Sequence, residues 1–63
     1  MAVSLTLEGL KGVDDVNRVT TALMELDGVD SVEVAREWAE IEGRVKESTL
    51  VQTVERLGYR VKR

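Results

Sequence analysis

Apolar residues in this chain switch from every second position to every third or fourth and back, twice over, and that switching fixes the order of its elements. From Val3 to Glu8 the sequence reads Val, Ser, Leu, Thr, Leu, Glu, so a pleated strand puts Val3, Leu5 and Leu7 on one face. Gly9 ends it. Past a loop containing Gly12, the residues Val13, Val16, Val19, Leu23 and Leu26 keep the spacing that stacks side chains on one side of a helix, which predicts a helix from about Asp14 to Leu26. Asp14 or Asp15 is placed to cap its first turn and meet the positive end of its dipole. Asp27-Gly28 closes it, because glycine takes the left-handed geometry of a helix terminus. Strands are expected from Ser31 to Ala35 and from Trp38 to Glu42, with Arg36-Glu37 as the hairpin tip. Leu50, Val51, Val54 and Leu57 return to helical spacing, and Gly58 stops that helix before a last strand, Tyr59 to Lys62.

The order is therefore βαββαβ, and its halves resemble each other. Glu8-Gly9 and Glu42-Gly43 lie 34 positions apart, and at that offset Val16 and Leu23 fall on Leu50 and Leu57. A split βαβ repeat of this kind predicts an α+β, ferredoxin-like sandwich: a four-stranded antiparallel sheet with two helices on one face. The other face is left to water, and its expected residues are Ser4, Thr6, Glu8, Glu33, Trp38, Glu40, Glu42, Arg60 and Lys62.

Composition removes most chemistry. A 63-residue chain buries only about 60% of the surface its unfolded form exposes, which leaves room for one domain and little for a deep cleft. With no Cys and no His, the chain has no disulfide, thiolate nucleophile, imidazole base or zinc-finger ligand set. Nine Lys and Arg against twelve Asp and Glu give a net charge of −3, the wrong sign for a phosphate-binding surface. Arg56, Arg60, Lys62 and Arg63 gather at the C-terminus as a solvated edge. The N-terminal Met-Ala-Val-Ser lacks the cationic start of a signal peptide and no stretch could span a bilayer, so the expectation is a cytoplasmic protein with no nucleic-acid or membrane contact of its own.

Several segments together resemble the heavy-metal-associated domain family, which includes small copper chaperones and the N-terminal modules of metal-exporting ATPases. They are Leu7-Glu8-Gly9-Leu10, Val16 and Val19, Ala22-Leu23, Leu26-Asp27-Gly28-Val29 with Ser31-Val32-Glu33-Val34, Ala39 to Gly43, and Leu50 with Gly58-Tyr59. The resemblance runs from Leu5 to Val61 and implies the same βαββαβ fold over one domain, residues 1–63. It also implies a metal loop reading Gly-Met-X-Cys-X-X-Cys, and here the chain departs from the family. Gly9 is kept, but Leu10 stands for the Met, Gly12 for the first Cys and Asp15 for the second.

Soft Cu(I) needs thiolate or thioether donors, so the loop is not expected to hold it. Met1 and Met24 do not restore such a site, one being the terminus and the other a space-filling residue of the first helix. Asp14 and Asp15, with Glu8 nearby, are weak oxygen donors, too few for the six to eight that Ca²⁺ commonly takes. No cofactor is expected. The resemblance also implies that Tyr59 closes the underside of the loop. Lys11 in the loop, Trp38 on the open face and Tyr59 are the candidate interaction residues.

An enzyme is not expected. Acylphosphatases share the element order, but Lys11, Asn17 and Arg18 here lack a glycine-rich anion loop. RNA-recognition motifs share it too, but they need aromatic residues where this sheet carries Thr6, Glu8, Glu40 and Glu42. The expectation is a non-catalytic protein-interaction or regulatory module with a protein partner or self-association. The alternative is a heavy-metal transport or detoxification module with altered binding through Asp14, Asp15 and loop backbone.

Overall fold

The alternating and helical stretches become β1 (Ala2–Glu8), α1 (Val13–Met24), β2 (Val29–Val34), β3 (Trp38–Gly43), α2 (Glu47–Arg56) and β4 (Arg60–Lys62). The computed structural model describes residues 2–62; Met1, and Arg63 of the C-terminal basic cluster, lie outside the described residues. The four strands form one sheet in the order β2-β3-β1-β4, every neighbouring pair antiparallel. This is the ferredoxin-like arrangement that the spacing predicts.

Alternation fixes which face is covered. Leu5 and Leu7 of β1 and Ala39 and Ile41 of β3 are buried under Val19 and Leu23 of α1 and Leu50, Val51 and Val54 of α2. Full burial of each large aliphatic side chain contributes about 2 kcal/mol relative to leaving it in water. The intervening residues Ser4, Thr6, Glu8, Glu33, Trp38, Glu40, Glu42, Arg60 and Lys62 are all exposed on the opposite face.

Several details differ from what the spacing predicts, among them single-residue shifts at the start of α1, at the end of β2, which stops at Val34, and at the start of β4, at Arg60. Helix α1 ends at Met24 and not at Leu26, because Leu26 N–H turns to the Leu23 carbonyl at 3.2 Å and tightens the last turn. Val13, on the predicted apolar stripe, opens the helix and is 72% exposed, and Met24 is half exposed and does not fill space. Strand β2 starts earlier, at Val29, through a register shift that pairs Val29 with Gly43 and Ser31 with Glu42. That pairing brings the Gly43 Cα against the Gly28 and Val29 backbone at φ +147°, where no side chain fits.

Candidate functional site

The loop between β1 and α1 is built from its anchors outward. Gly9, at φ +99°, lies under the Tyr59 ring, and a β-carbon there would sit 3.7 Å from Tyr59 Cδ1. Leu10 folds back into the core and is 8% exposed, which pins the loop from within. Lys11 is exposed, and Gly12 is the residue that precedes the first helical turn, its carbonyl accepting from Val16 N–H at 3.1 Å.

Neither Asp14 nor Asp15 caps α1 as the sequence suggests. Gly12 holds the cap position, and no side chain bonds there. Asp15, three residues on, reaches back past it: Oδ2 accepts from Lys11 N–H at 2.8 Å, as the acidic member of a capping box does one residue further in. Its other oxygen, Oδ1, accepts the Tyr59 hydroxyl at 2.6 Å. One carboxylate thus ties the loop, the first turn of α1 and the entry to β4. Asp14 stays exposed on the same turn.

These bonds favour the charged form of Asp15. The Tyr59 hydroxyl first, then Lys11 N–H, hold its carboxyl below the usual carboxylate range, and the positive charges of Arg18 and Lys11 act in the same direction. The same bond, helped by burial and the Asp15 charge, pushes the Tyr59 phenol up. Asp15 and Tyr59 are 44 positions apart, and no local pattern announces their bond. The signals within reach were the two segments read separately, an acidic residue in the loop and the Gly-Tyr pair after α2.

The structure brings Asp15, Lys11 and Tyr59 together and leaves Trp38 elsewhere. Tyr59 is 9% exposed with its hydroxyl engaged, so it acts inside the fold and offers little to a partner. Trp38 begins β3 on the open face, 45% exposed, opposite Thr6, whose other neighbour is Lys62. Lys62 Nζ lies 3.4 Å from Glu8 Oε2, an exposed ion pair of small energetic weight.

The donor set does not fit a soft metal. The chain has no thiol or imidazole, and Met24 lies nine residues along α1 from Asp15, about 14 Å at the rise of an α-helix. Nor does it fit a hard cation: among the described residues no three carboxylates gather as a metal-holding group, and a cation at Asp15 would compete with the bonds from Lys11 N–H and the Tyr59 hydroxyl.

A four-stranded antiparallel sheet under two helices, with a loop running from the first strand to the first helix, is the architecture of heavy-metal-associated domains, and this chain is similar to solved structures of that kind. The CopZ metallochaperone is 25% identical with a TM-score of 0.94, over 98% of this chain and 100% of its own. The N-terminal domain of PacS from Synechocystis PCC6803 is 26% identical with a TM-score of 0.90, over 98% of this chain and 94% of its own. A copper-binding domain of the P-type ATPase HMA7 is 24% identical with a TM-score of 0.91, over 97% of this chain and 89% of its own. The sequence matches no family model and no curated protein. These neighbours are thus a metallochaperone, the N-terminal domain of PacS and a copper-binding domain of a P-type ATPase, and this chain has their fold without a cysteine. Among the described residues no helix is long and apolar enough to cross a membrane.

Proposed function

We propose that this chain is a non-catalytic protein-interaction or regulatory module, one domain over residues 1–63, built on a metallochaperone fold whose thiolate site has been replaced by an internal bridge. The observation that carries this reading is the Asp15 carboxylate, with one oxygen on Lys11 N–H and the other on the Tyr59 hydroxyl. A carboxylate whose two oxygens each hold a bond of the fold stabilises the loop, and a metal would have to compete with both bonds. What remains for a partner is the outside of the loop and the start of α1, where Lys11, Asp14 and the 72%-exposed Val13 are all exposed. The partner is a protein, met in the cytoplasm; the net charge of −3 supports neither nucleic acid nor an anionic membrane surface.

The test is an amide-resolved NMR titration with Zn(II), and with Cu(I) under anaerobic conditions. Amides from Leu10 to Asp15 should stay in place up to millimolar metal. Saturating shifts confined to that segment at micromolar metal would show that carboxylate and backbone donors have taken over from thiolates, and the reading would fall.

A further inference from the structure

The two free edges of the sheet match each other in four independent respects. The first is backbone phase. Ala35 N–H bonds the Trp38 carbonyl at 2.8 Å, so Ala35 turns its polar groups toward β3. By the alternation of an antiparallel ladder Ser31 and Glu33 do the same, and Val32 and Val34 turn theirs to the free edge of β2. On the other side Leu7 N–H bonds the Glu37 carbonyl at 2.8 Å, which directs Leu7 away from its partner Val61. Thr6 and Glu8 then bond Lys62 and Arg60, and Val61 turns its N–H and C=O to the free edge of β4.

The second respect is direction. β2, β3, β1 and β4 are joined by three antiparallel pairings, so β2 and β4 run opposite ways, and a second copy shifted across the sheet brings its β4 antiparallel to β2. The third is the face each side chain takes. With Val61 of one copy opposite Val32 of the other, both half-buried valines lie on the helix side, while Arg60 meets Glu33 and Lys62 meets Ser31 on the open side.

The fourth is charge. Within one chain Glu33 stands directly opposite Glu40, a like-charged pair that costs stability, and Ser31 stands opposite Glu42 with its hydroxyl 3.3 Å from Glu42 Oε2. Cations to face these acidic residues are carried by β4: Arg60, and Lys62, which within its own chain lies 3.4 Å from Glu8 Oε2. Two-fold pairings are disfavoured by the same charges, since β4 on β4 sets Arg60 against Lys62, and β2 on β2 centred on Glu33 sets the two copies' Glu33 against each other.

We infer that the free edges of β2 and β4 are a head-to-tail docking pair whose occupant is a second copy of this chain, joined by Val61–Val32 backbone hydrogen bonds and the Arg60–Glu33 contact. The inference does not rest on the reading of the loop. β4 has three residues, and the register shift at Asp30 confines the usable part of β2 to Ser31–Val34. Such a contact is far smaller than the roughly 1,200 Å² of a stable interface, so the association is weak and reversible.

NMR and sedimentation of the full chain, from about 50 µM to 2 mM at low salt, test it in the range where small interfaces associate. Amides of Val32, Val34 and Val61 should shift with concentration, the mean mass should rise above 7.0 kDa, and salt should reverse both. The Arg60→Glu/Lys62→Glu chain alone and the Glu33→Arg chain alone should each lose the effect at least tenfold. Mixed together they should recover it, because every junction then joins opposite charges; recovery also shows that both variants are folded. Concentration-independent spectra would overturn the proposal. So would shifts mapping to α1 or the open face, or association of either reversed chain as strong as that of the unaltered one.

Discussion

The loops that lead into α1 and α2 occupy equivalent places in the two halves of the repeat, 34 positions apart, and they are closed by different means. In the first, Leu10 is buried and the Asp15 side chain gathers in Lys11 N–H and the Tyr59 hydroxyl. In the second, Arg44 replaces the buried leucine and stays exposed, Thr49 stands where Asp15 does, and closure is made by backbone: Arg44 N–H to the Gly28 carbonyl at 2.7 Å, beside the Gly43 contact with Gly28 and Val29. Backbone closure is rigid and chemically silent, whereas closure by a carboxylate near the surface leaves an ionisable group at a position where the family resemblance implies a cysteine.

The largest effect should therefore come from the second loop. Gly43→Ala adds a β-carbon that collides with the Gly28 and Val29 backbone, at a φ that L residues rarely adopt. It should cost about 3 kcal/mol or more in urea denaturation, against a total of roughly 3–9 kcal/mol for a chain of this size. Tolerance of alanine there would show that the two loops are closed alike. Next comes Leu10→Arg, which gives the first loop the residue of the second. Removing that buried leucine should cost about 2 kcal/mol by the same measurement, and a neutral result would mean the loop is not pinned from the core.

The fold was legible because each element repeats its signal over several residues: Val3, Leu5 and Leu7 alternate, and Leu50, Val51, Val54 and Leu57 keep helical spacing, so single misplacements average out. What the sequence does not show is decided by one or two contacts. The end of α1 depends on a single tightened turn at Leu26, and the start of β2 on one extra residue at Asp30. Val13 fits the apolar stripe, yet at the mouth of the helix nothing lies above it to cover it. The loop followed the same rule. Its departures at Leu10, Gly12 and Asp15 could be read directly, while the carboxylate's task needs Tyr59, which no local period connects to it.

Third in size is the bridge itself. Asp15→Ala removes both acceptors and should lower the denaturation midpoint at neutral pH, with amide exchange at Lys11 accelerated; an unchanged midpoint would reduce the bridge to decoration. The sign of its pH dependence follows from the two shifts. The folded Asp15 carboxyl titrates below the ordinary 3.8, so its contribution is present above that value and lost as pH falls through the lower folded one. The folded Tyr59 phenol titrates above the ordinary 10.0, so its contribution holds below that value and is lost as pH rises through the higher folded one. Asp15→Asn should accordingly flatten the acid limb of the stability curve, and an acid limb identical to that of the unaltered chain would place the titrating group elsewhere.

The smallest effect is expected at Gly12, and it separates two accounts of how the loop differs from the metal loop that the family resemblance implies. Gly12 has extended backbone, φ −173°, which any residue adopts, and a β-carbon built there meets nothing within 4 Å. Gly12→Ala should thus be neutral, or stabilise by up to about 0.5 kcal/mol through a stiffer unfolded chain. A marked loss would mean that the loop has closed sterically over the ligand position. Neutrality would mean that the position stays open and differs in chemistry alone, in which case Gly12→Cys with Asp15→Cys should bind Cu(I) on an otherwise unaltered scaffold, with the loss of the Asp15 bridge as its accompanying cost in stability.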